Sequence, residues 1–460
     1  MNYLSVAFFI FILIFLVVYY LIPAGYRYIA LFLGSYGFYG FRDPKILLVL
    51  FIVTLISYLG GFLLDKYRKS AIYWAFFLSL IAVLALFKYF LGLPVGLSFI
   101  IFQTCTYLSD IYRKGNSAEI NFIRYGAFAA FFPTILSGPI QQSRKLLPQI
   151  KSPAAFTYEN AQKGTLLFAW GAFEKIMVAD KLEAFSLKII GTHTEYSDAM
   201  LLVAAIAFSF YIYADFSAYS DMARGVAKIL GVDVGRNFKN PYLSVSTSEF
   251  WRRWHVSLND WFVENVYIPL GGNRKGTVRK HLNILIVFAL SGIWHGSGNH
   301  FIAWGIINGI LVIAGSMIAP VKSGIYRKIG VDENNNVIKA LRRLIVFIMI
   351  TFTWLFFSTG IKDALFISKR IITFNINSLT DPKLITICGT GVLTAITFIS
   401  LLIFMIVQII RQDEASRYAG YIRQPFVIQC LSVAAIICIC IFGYYMTAGN
   451  VDTRFLYFNF

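Results

Sequence analysis

The sequence predicts an all-α protein that crosses a membrane many times. Of its 460 residues, 58% are hydrophobic and only 14% are charged, which is far too apolar for a soluble globular protein. A bilayer core requires roughly 20 apolar residues per spanning helix. Apolar runs of that order recur along the chain, at 3–22, 45–64, 71–91, 201–230, 344–358, 384–410 and 425–445. With shorter stretches included, we expect a single domain over residues 1–460 that contains roughly eleven spans.

The charge of the chain indicates membrane topology rather than nucleic-acid binding. The net charge is +18, and the Lys and Arg residues cluster in short loops between apolar runs. Cytoplasmic loops carry an excess of these residues, so loops 65–69, 322–343 and 411–423 are predicted to be cytoplasmic. One span after the last of them puts the C-terminus outside the cell membrane, although the basic loop 362–383 would then also lie outside. We expect membrane lipids as partners and no nucleic acid.

One early segment breaks the rhythm of spanning helices. The run Phe131–Ile140 contains Pro133, Gly138 and Pro139, which punctuate it too often for an uninterrupted helix. Irregular backbone at membrane depth persists only where it is buried in protein or lines a wet cavity. We therefore predict a re-entrant segment here.

Two carboxylates interrupt the apolar run that follows residue 201. Asp215 and Asp221 cannot face lipid, so they must face protein, a cavity or cationic partners such as Arg252 or Arg253. These two carboxylates could form ion pairs that hold helices together, or they could take part directly in a reaction. The sequence supports both roles about equally.

A basic and aromatic region extends from residue 236 to residue 280. Ser246 and Glu249 fit the capping box that starts a helix. On one continuous helix from there, ending before Pro269, residues Ser248, Arg252, His255 and Asn259 would form a polar stripe. Such an interfacial or funnel-lining helix suits anionic lipid headgroups and a phosphorylated donor equally well.

Two histidines are the strongest candidates for chemistry. His255 and His295 lie in segments rich in aromatic residues and flanked by apolar runs, and an ionisable side chain at membrane depth is a functional hypothesis by default. The histidines His193, His281 and His300 lie in no comparable motif. The five cysteines lack zinc-site spacing, and two histidines alone do not make a metal site, so we expect no metal.

Several ordered motifs resemble one enzyme family. The main matches are NFKNPY at 237–242, EFWRRWHVSL at 249–258, YIPLGGNR at 267–274 and GIWHG at 292–296; supporting ones are PVGLSF at 94–99, SGPI at 137–140 and DFSAYSDM at 215–222. Together they resemble the membrane-bound O-acyltransferases (MBOAT), and more narrowly the alginate O-acetyltransferase branch. The resemblance covers about 94–309, the expected catalytic core. Gln142 stands where relatives often carry a basic residue, although Arg144 is near.

The resemblance implies a helical assembly around a central tunnel, with re-entrant and interfacial helices. It implies that His295 is the catalytic histidine and His255 the second active-site histidine. A neutral imidazole can remove the proton of a hydroxyl as that hydroxyl attacks a thioester. Ser291, four residues before His295, would share its helix face and could fix its tautomer. Candidate residues for binding substrate or donor are Trp251, Arg252, Arg253, Trp254, Asn259, Ser291, Trp294, Asp215 and Asp221.

The C-terminal hexapeptide 455–460 resembles the aromatic terminus of alginate-acetyltransferase-like members. We hypothesise that Tyr457 reaches into the outer mouth of the tunnel, receives the acyl group and passes it to an extracytoplasmic partner. A phenol with a pKa of about 10 needs a base, which His295 would supply. The alternative is an interfacial aromatic anchor without a chemical role.

The resulting expectation is a plasma-membrane O-acyltransferase for an exported polysaccharide. It would take an acyl group, most simply acetyl, from a cytoplasmic thioester; acetyl-CoA is expected as a donor substrate, with no tightly bound cofactor. An SGNH-hydrolase-type partner would complete the transfer. The first alternative is a D-alanyl transferase for teichoic acid that uses an acyl carrier protein. The second is a transporter or flippase, which would predict internal repeats, and none is found.

Overall fold

Helices build the fold, and its computed structural model describes residues 2–41, 43–330, 332–384, 391–410, 420–446 and 455. Within these residues the regular elements are all helical, which confirms the all-α prediction. In chain order they are α1 (Val6–Leu21), α2 (Arg27–Gly40), α3 (Ile46–Tyr67), α4 (Ser70–Leu86), α5 (Leu97–Lys114), α6 (Phe122–Ala129), α7 (Ser143–Lys151), α8 (Tyr158–Phe173), α9 (Asp180–Gly191), α10 (Asp198–Ile229), α11 (Thr247–Arg253), α12 (Val256–Phe262), α13 (Gly276–His295), α14 (Asn299–Lys328), α15 (Asn336–Ser358), α16 (Ile361–Ile372), α17 (Val392–Ile410) and α18 (Phe426–Met446). Short π-helical turns follow α4 (Phe87–Leu91), α8 (Glu174–Ala179) and α12 (Val263–Tyr267).

The protein is a multi-pass membrane protein. By length and composition, six helices in the described part of the chain can cross a membrane, and α1 and residues Thr394–Ile410 form shorter apolar helices. The six differ in their surroundings: 78% of the most apolar window of α10 is buried inside the protein, against 17% for α18. The helix α10 is therefore a central helix, whereas α18 presents most of its surface to the outside of the assembly.

Close backbone contacts hold α8 against this central helix. A Cβ atom on Gly164 would lie 2.5 Å from the Gly225 carbonyl oxygen, and one on Gly171 would lie 2.7 Å from that of Ala218. Residues early in α8 thus face residues late in α10, so the two helices run antiparallel. Small residues permit this approach, which drives helix association where lipid removes the hydrophobic effect.

The segment predicted to be re-entrant is irregular and buried. Between α6 and α7, residues 131–140 form turns, and all ten residues are buried. Their backbone groups find partners elsewhere in the chain: the Tyr3 hydroxyl donates to the Pro133 carbonyl at 2.5 Å, and the Ile140 amide donates to Ser257 Oγ at 2.9 Å. Buried irregular backbone requires such partners.

The single helix predicted from Ser246 onward was wrong. Its start is correct, because Ser246 Oγ accepts the Glu249 amide at 3.1 Å. The helix ends at Arg253, however, and a second one begins at Val256. Between them His255 adopts a left-handed conformation, with φ 43° and ψ 56°. This break at His255 interrupts the continuous polar stripe, so His255 does not share a helix face with Arg252.

Candidate active site

His295 is enclosed by aromatic rings. It is the last residue of α13 and is only 4% exposed. The centroid of its ring lies 4.7 Å from that of Trp294, 5.0 Å from Trp304 on α14 and 5.1 Å from Phe357 on α15. Three helices thus shield this imidazole from bulk water.

His255 lies next to the same aromatic cluster. It is 2% exposed, and its ring centroid is 4.6 Å from Phe216 on α10, 6.3 Å from Phe99 on α5 and 6.3 Å from Trp294. Because the Trp294 indole borders both imidazoles, the structure brings the two sequence-predicted histidines to one buried site.

Asn237 holds the unusual backbone beside His255. Its carbonyl accepts the Val256 amide at 2.9 Å, and its side-chain oxygen accepts the Ser257 amide at 3.2 Å. These bonds satisfy amides in the first turn of α12 that have no partner within the helix. A left-handed residue other than glycine costs about 1–3 kcal/mol, and such strain clusters at functional sites.

Lys88 is part of the site, and the sequence analysis missed it. Its ammonium donates a hydrogen bond to the Trp294 carbonyl, and the neighbouring Tyr89 hydroxyl donates to the Ile293 carbonyl at 3.1 Å. Both donors satisfy carbonyls at the C-terminal end of α13, where intrahelical partners run out. Lys88 thereby fixes the helix end that carries His295. A lone cation in the apolar run 71–91 was the available signal.

The two intramembrane carboxylates face cationic partners as predicted, but those partners are Lys175 and Arg224 rather than Arg252 or Arg253. Asp215 accepts a hydrogen bond from Lys175 Nζ at 2.6 Å, and Asp221 pairs with Arg224 at 2.8 Å. Arg253 pairs instead with Glu249 of its own helix at 2.6 Å. The π-helical turn after α8 places Lys175 against α10, a relation between distant segments that local patterns do not contain.

Of the remaining predicted residues, some pack among the aromatic rings near His295 and others lie at or near the surface. Trp251 packs on Trp304 at 5.5 Å between ring centroids, and Trp254 packs on Trp354 at 5.0 Å. Arg252 is exposed. Asn259 and Ser291 are half-buried, and Ser291 lies one turn before His295 on α13 as predicted. Tyr457 lies outside the described residues.

A polar pocket adjoins the backbone of the His255 segment. The empty space there is about 220 Å³ when open solvent is included, but the enclosed part is only about the size of one water molecule. Two arginines and one carboxylate give its lining a mixed charge with a positive excess. Its lining residues are Ser217, Ser220, Asp221, Arg224, Arg236, Asn237, Phe238 and Gln408. Asp221 is thus placed at a cavity, while Asp215 is not among its lining residues.

Arg144 of α7 forms ion pairs with α5 and with the π-helical turn that follows α12. Its guanidinium contacts Asp110 of α5 at 2.7 Å and Glu264 at 2.8 Å. Partial burial opposes the charge, but the hydrogen bonds and charges of Glu264 and Asp110 outweigh it and raise the pKa of Arg144. Arg144, the basic side chain near Gln142, is therefore held in ion pairs within the protein.

The geometry suits acid–base chemistry on a substrate that enters a dry site. Burial among rings favours the uncharged form of an imidazole, which can accept a proton from a hydroxyl. A second imidazole beside the same indole supplies a hydrogen-bonding group for another part of the reacting centre. In the described residues, Lys88 supplies positive charge at the end of α13 that carries His295.

Comparisons with known proteins agree on one family. The sequence model of the membrane-bound O-acyltransferase family matches residues 36–359. A probable alginate O-acetylase of Pseudomonas fluorescens is 32% identical over 77% of this chain and 71% of its own length. A peptidoglycan O-acetyltransferase of Helicobacter pylori is 28% identical over 80% of this chain and 75% of its own. A teichoic acid D-alanyltransferase of Bacillus subtilis is 25% identical over 47% and 58%, respectively.

Proposed function

Since this chain belongs to the membrane-bound O-acyltransferase family, we propose that it moves an acetyl group from a cytoplasmic thioester to hydroxyls of a cell-envelope polysaccharide. It is an O-acyltransferase with several membrane spans. The names of its relatives, an alginate O-acetylase and a peptidoglycan O-acetyltransferase, support acetyl as the acyl group and an envelope polymer as the final acceptor. Acetyl-CoA is the donor that we propose.

The observation that carries the proposal is the pair of buried histidines beside Trp294. His295 accepts the proton of the attacking hydroxyl while the oxygen forms a bond to the thioester carbonyl carbon. The tetrahedral intermediate then collapses, the C–S bond breaks, and the thiolate leaves with the proton that His295 took. Such general-base catalysis contributes about 10²- to 10⁴-fold.

His255 acts on the other side of the reacting group. Its ring orients the thioester carbonyl and stabilises negative charge that develops on the carbonyl oxygen, as preorganised donors do in acyl transfer. The aromatic rings around both histidines exclude water, which protects the thioester from hydrolysis.

The acyl group leaves the membrane protein through Tyr457. In this proposal its phenol is the first acceptor and forms an aryl ester at the outer mouth of the tunnel. An extracytoplasmic SGNH-hydrolase-type partner then transfers the acyl group to the polysaccharide hydroxyl, which releases the free phenol. The described chain contains no sizeable soluble domain that could hold the polymer.

The decisive experiment supplies purified protein with acetyl-CoA labelled in the acetyl group. We expect labelled protein or released CoA with the wild type, and a loss of at least about a hundredfold in His295→Ala. His300→Ala is the matched control, because that ring lies five residues away on α14 and outside the proposed chemistry. Equal rates in His295→Ala and the wild type would contradict the proposal.

D-alanyl transfer is the second candidate, favoured by the similarity to a teichoic acid D-alanyltransferase. That similarity covers 47% of this chain, against 77% for the alginate O-acetylase relative. Stable binding of a small acidic acyl carrier protein, with no use of acetyl-CoA, would establish this candidate. The family match favours either enzyme over the transporter alternative.

A further inference from the structure

Lys175 lies at the centre of a buried charged cluster outside the histidine site. Lys175, Asp215 and Asp180 are 0%, 1% and 4% exposed. The Lys175 ammonium lies 2.6 Å from Asp215 and 2.8 Å from Asp180. Removing three charged side chains from water costs free energy, which their mutual attraction offsets only in part. Ionisable groups at membrane depth often mark functional sites. The proposed reaction does not use this cluster.

Phe455, the first residue of the C-terminal hexapeptide, packs directly on this cluster. Its ring is 1% exposed, and the Lys175 ammonium lies 4.7 Å from the ring centroid. The Tyr219 ring meets Phe455 edge-on at 5.2 Å between centroids. A cation over an aromatic face is attracted most strongly when both are removed from water, as they are here.

The Phe455 contact lies close to the histidine site along α10. Tyr219 comes three residues after Phe216, and the Phe216 ring contacts His255 at 4.6 Å. One turn of helix advances by about 5.4 Å. Tyr219 is itself fixed, because Tyr3 stacks on it at 5.0 Å. The hexapeptide therefore starts about one helical turn from a residue that touches His255.

We propose that Lys175, oriented by Asp180 and Asp215, forms with Tyr219 the docking site for the C-terminal segment, and that Phe455 is its anchor. Tyr457 follows Phe455 by two residues, and two residues of chain reach at most about 7 Å. In this proposal the docking of Phe455 keeps the Tyr457 phenol near the histidine site, and Lys175 acts as a positioning residue. The part of this inference that concerns Tyr457 rests on the proposed function, whereas the docking of Phe455 does not.

The functional test uses the full-length protein with Phe455→Leu and Phe455→Trp. The leucine keeps apolar bulk but has no aromatic face, so we expect the rate of acyl transfer to Tyr457 to fall roughly tenfold. The KM for the donor should stay within about twofold, because the donor site is untouched. The tryptophan variant, which keeps an aromatic face, should retain most of the wild-type rate.

The matched control is Phe442→Leu, since Phe442 is 52% exposed on α18. We expect it to behave as wild type. Wild-type rates in Phe455→Leu, or an equal loss in Phe442→Leu, would overturn the docking proposal. If the wild type itself takes no label from acetyl-CoA, the proposed function fails while the docking site remains open to the second test.

That second test needs no activity. In a protein without its native cysteines, Ser220→Cys and Leu456→Cys leave Phe455, Tyr219 and Lys175 in place, and a short bifunctional thiol reagent should join the two introduced cysteines, detected by mass spectrometry of the linked peptides. Phe442→Cys with Ser220→Cys serves as the control pair and should give at most a tenth of that product. Equal yields from the two pairs would overturn the docking proposal, whatever the result for acyl transfer.

Discussion

His255 combines a buried ring with a backbone conformation that most side chains avoid. Its φ of 43° lies in the left-handed region, which Asn tolerates better than Ala. We therefore expect His255→Asn and His255→Ala both to lose acyl transfer, because both lack the imidazole. Both variants lose the packing of the buried ring, and the alanine variant should be less stable than the asparagine variant by about a further 1 kcal/mol. Thermal unfolding in detergent, measured beside the transfer rate, separates the ring from the backbone.

An alanine variant as stable as the asparagine variant would show that the left-handed conformation is not under strain. Full transfer activity in His255→Asn would remove the ring from the mechanism. The two measurements are independent, so each part of the argument can fail alone.

Lys88 offers a second prediction for a single residue. Lys88→Met removes the charge-assisted hydrogen bond to the Trp294 carbonyl, a type of bond worth about 1.5–3 kcal/mol. Part of that free energy fixes the end of α13, so we expect the transfer rate to fall about tenfold or more, with partial recovery in Lys88→Arg. Lys69→Met, at an exposed lysine just before α4, is the control. A rate equal to that of the control would exclude Lys88 from the site.

The sequence singled out the two histidines that the structure brings together beside Trp294, because each lies in a short motif that can be recognised without knowledge of distant contacts. It missed Lys88 and Lys175 because their partners, the Trp294 carbonyl and Asp215, lie far away along the chain. Periodicity and spacing report local structure, whereas ion pairs between helices depend on how the helices pack. The cationic partners expected for Asp215 and Asp221 are present, but Asp215 pairs with Lys175 on a distant segment, whereas Asp221 pairs with Arg224 three residues later on α10.

The packing of α13 on α14 sets the position of His295. A Cβ atom on Gly305 would collide with the Phe288 carbonyl oxygen, which is backbone and cannot move aside alone. Gly305→Ala should therefore separate the two helices, at a cost of about 1–3 kcal/mol, and displace the His295 ring. We expect both the unfolding temperature and the transfer rate to fall.

Gly309, one turn later, is the matched control. There a Cβ atom would meet the Leu285 Cδ2 atom at 3.1 Å, which is the movable end of a side chain. Gly309→Ala should therefore be much milder than Gly305→Ala. Equal effects of the two substitutions would show that close approach at Gly305 does not determine the site.

The break between α11 and α12 could not be predicted from the local sequence. The predicted helix start at Ser246 was confirmed: Ser246 Oγ accepts the Glu249 amide, while the Glu249 carboxylate accepts the Val245 amide rather than that of Ser246. These partners all lie within four residues of each other. The break at His255 depends on Asn237, which lies eighteen residues before it and supplies acceptors for the amides after it. A pattern that repeats every three or four residues continues through such a break unchanged.

For the whole molecule, composition and run length predicted the all-α, multi-pass architecture, because apolar length is a direct requirement of the bilayer. Which of these helices are buried inside the protein could be determined only from the structure. The runs that gave α10 and α18 are both long and apolar, yet only α10 is buried in protein over most of its length. The difference comes from small residues such as Gly225, which admit α8, and from the charged side chain of Asp215, which requires a partner.

The first hexapeptide residue, Phe455, is buried against α10, while Tyr457 lies outside the described residues. Tyr457→Phe keeps an aromatic ring for an interfacial anchor and removes only the hydroxyl. If the residue is a covalent relay, cells with this variant should lose polysaccharide acylation by at least about a hundredfold, since the acceptor oxygen is absent.

Membrane insertion and protein amount should be unchanged in that variant, and purified protein should still bind labelled acetyl-CoA. The ring alone cannot replace the phenol, because ester formation needs an oxygen that can lose a proton to His295. Wild-type acylation in Tyr457→Phe would therefore reduce the residue to an anchor and require the polysaccharide, or its partner enzyme, to meet the donor at the histidines directly.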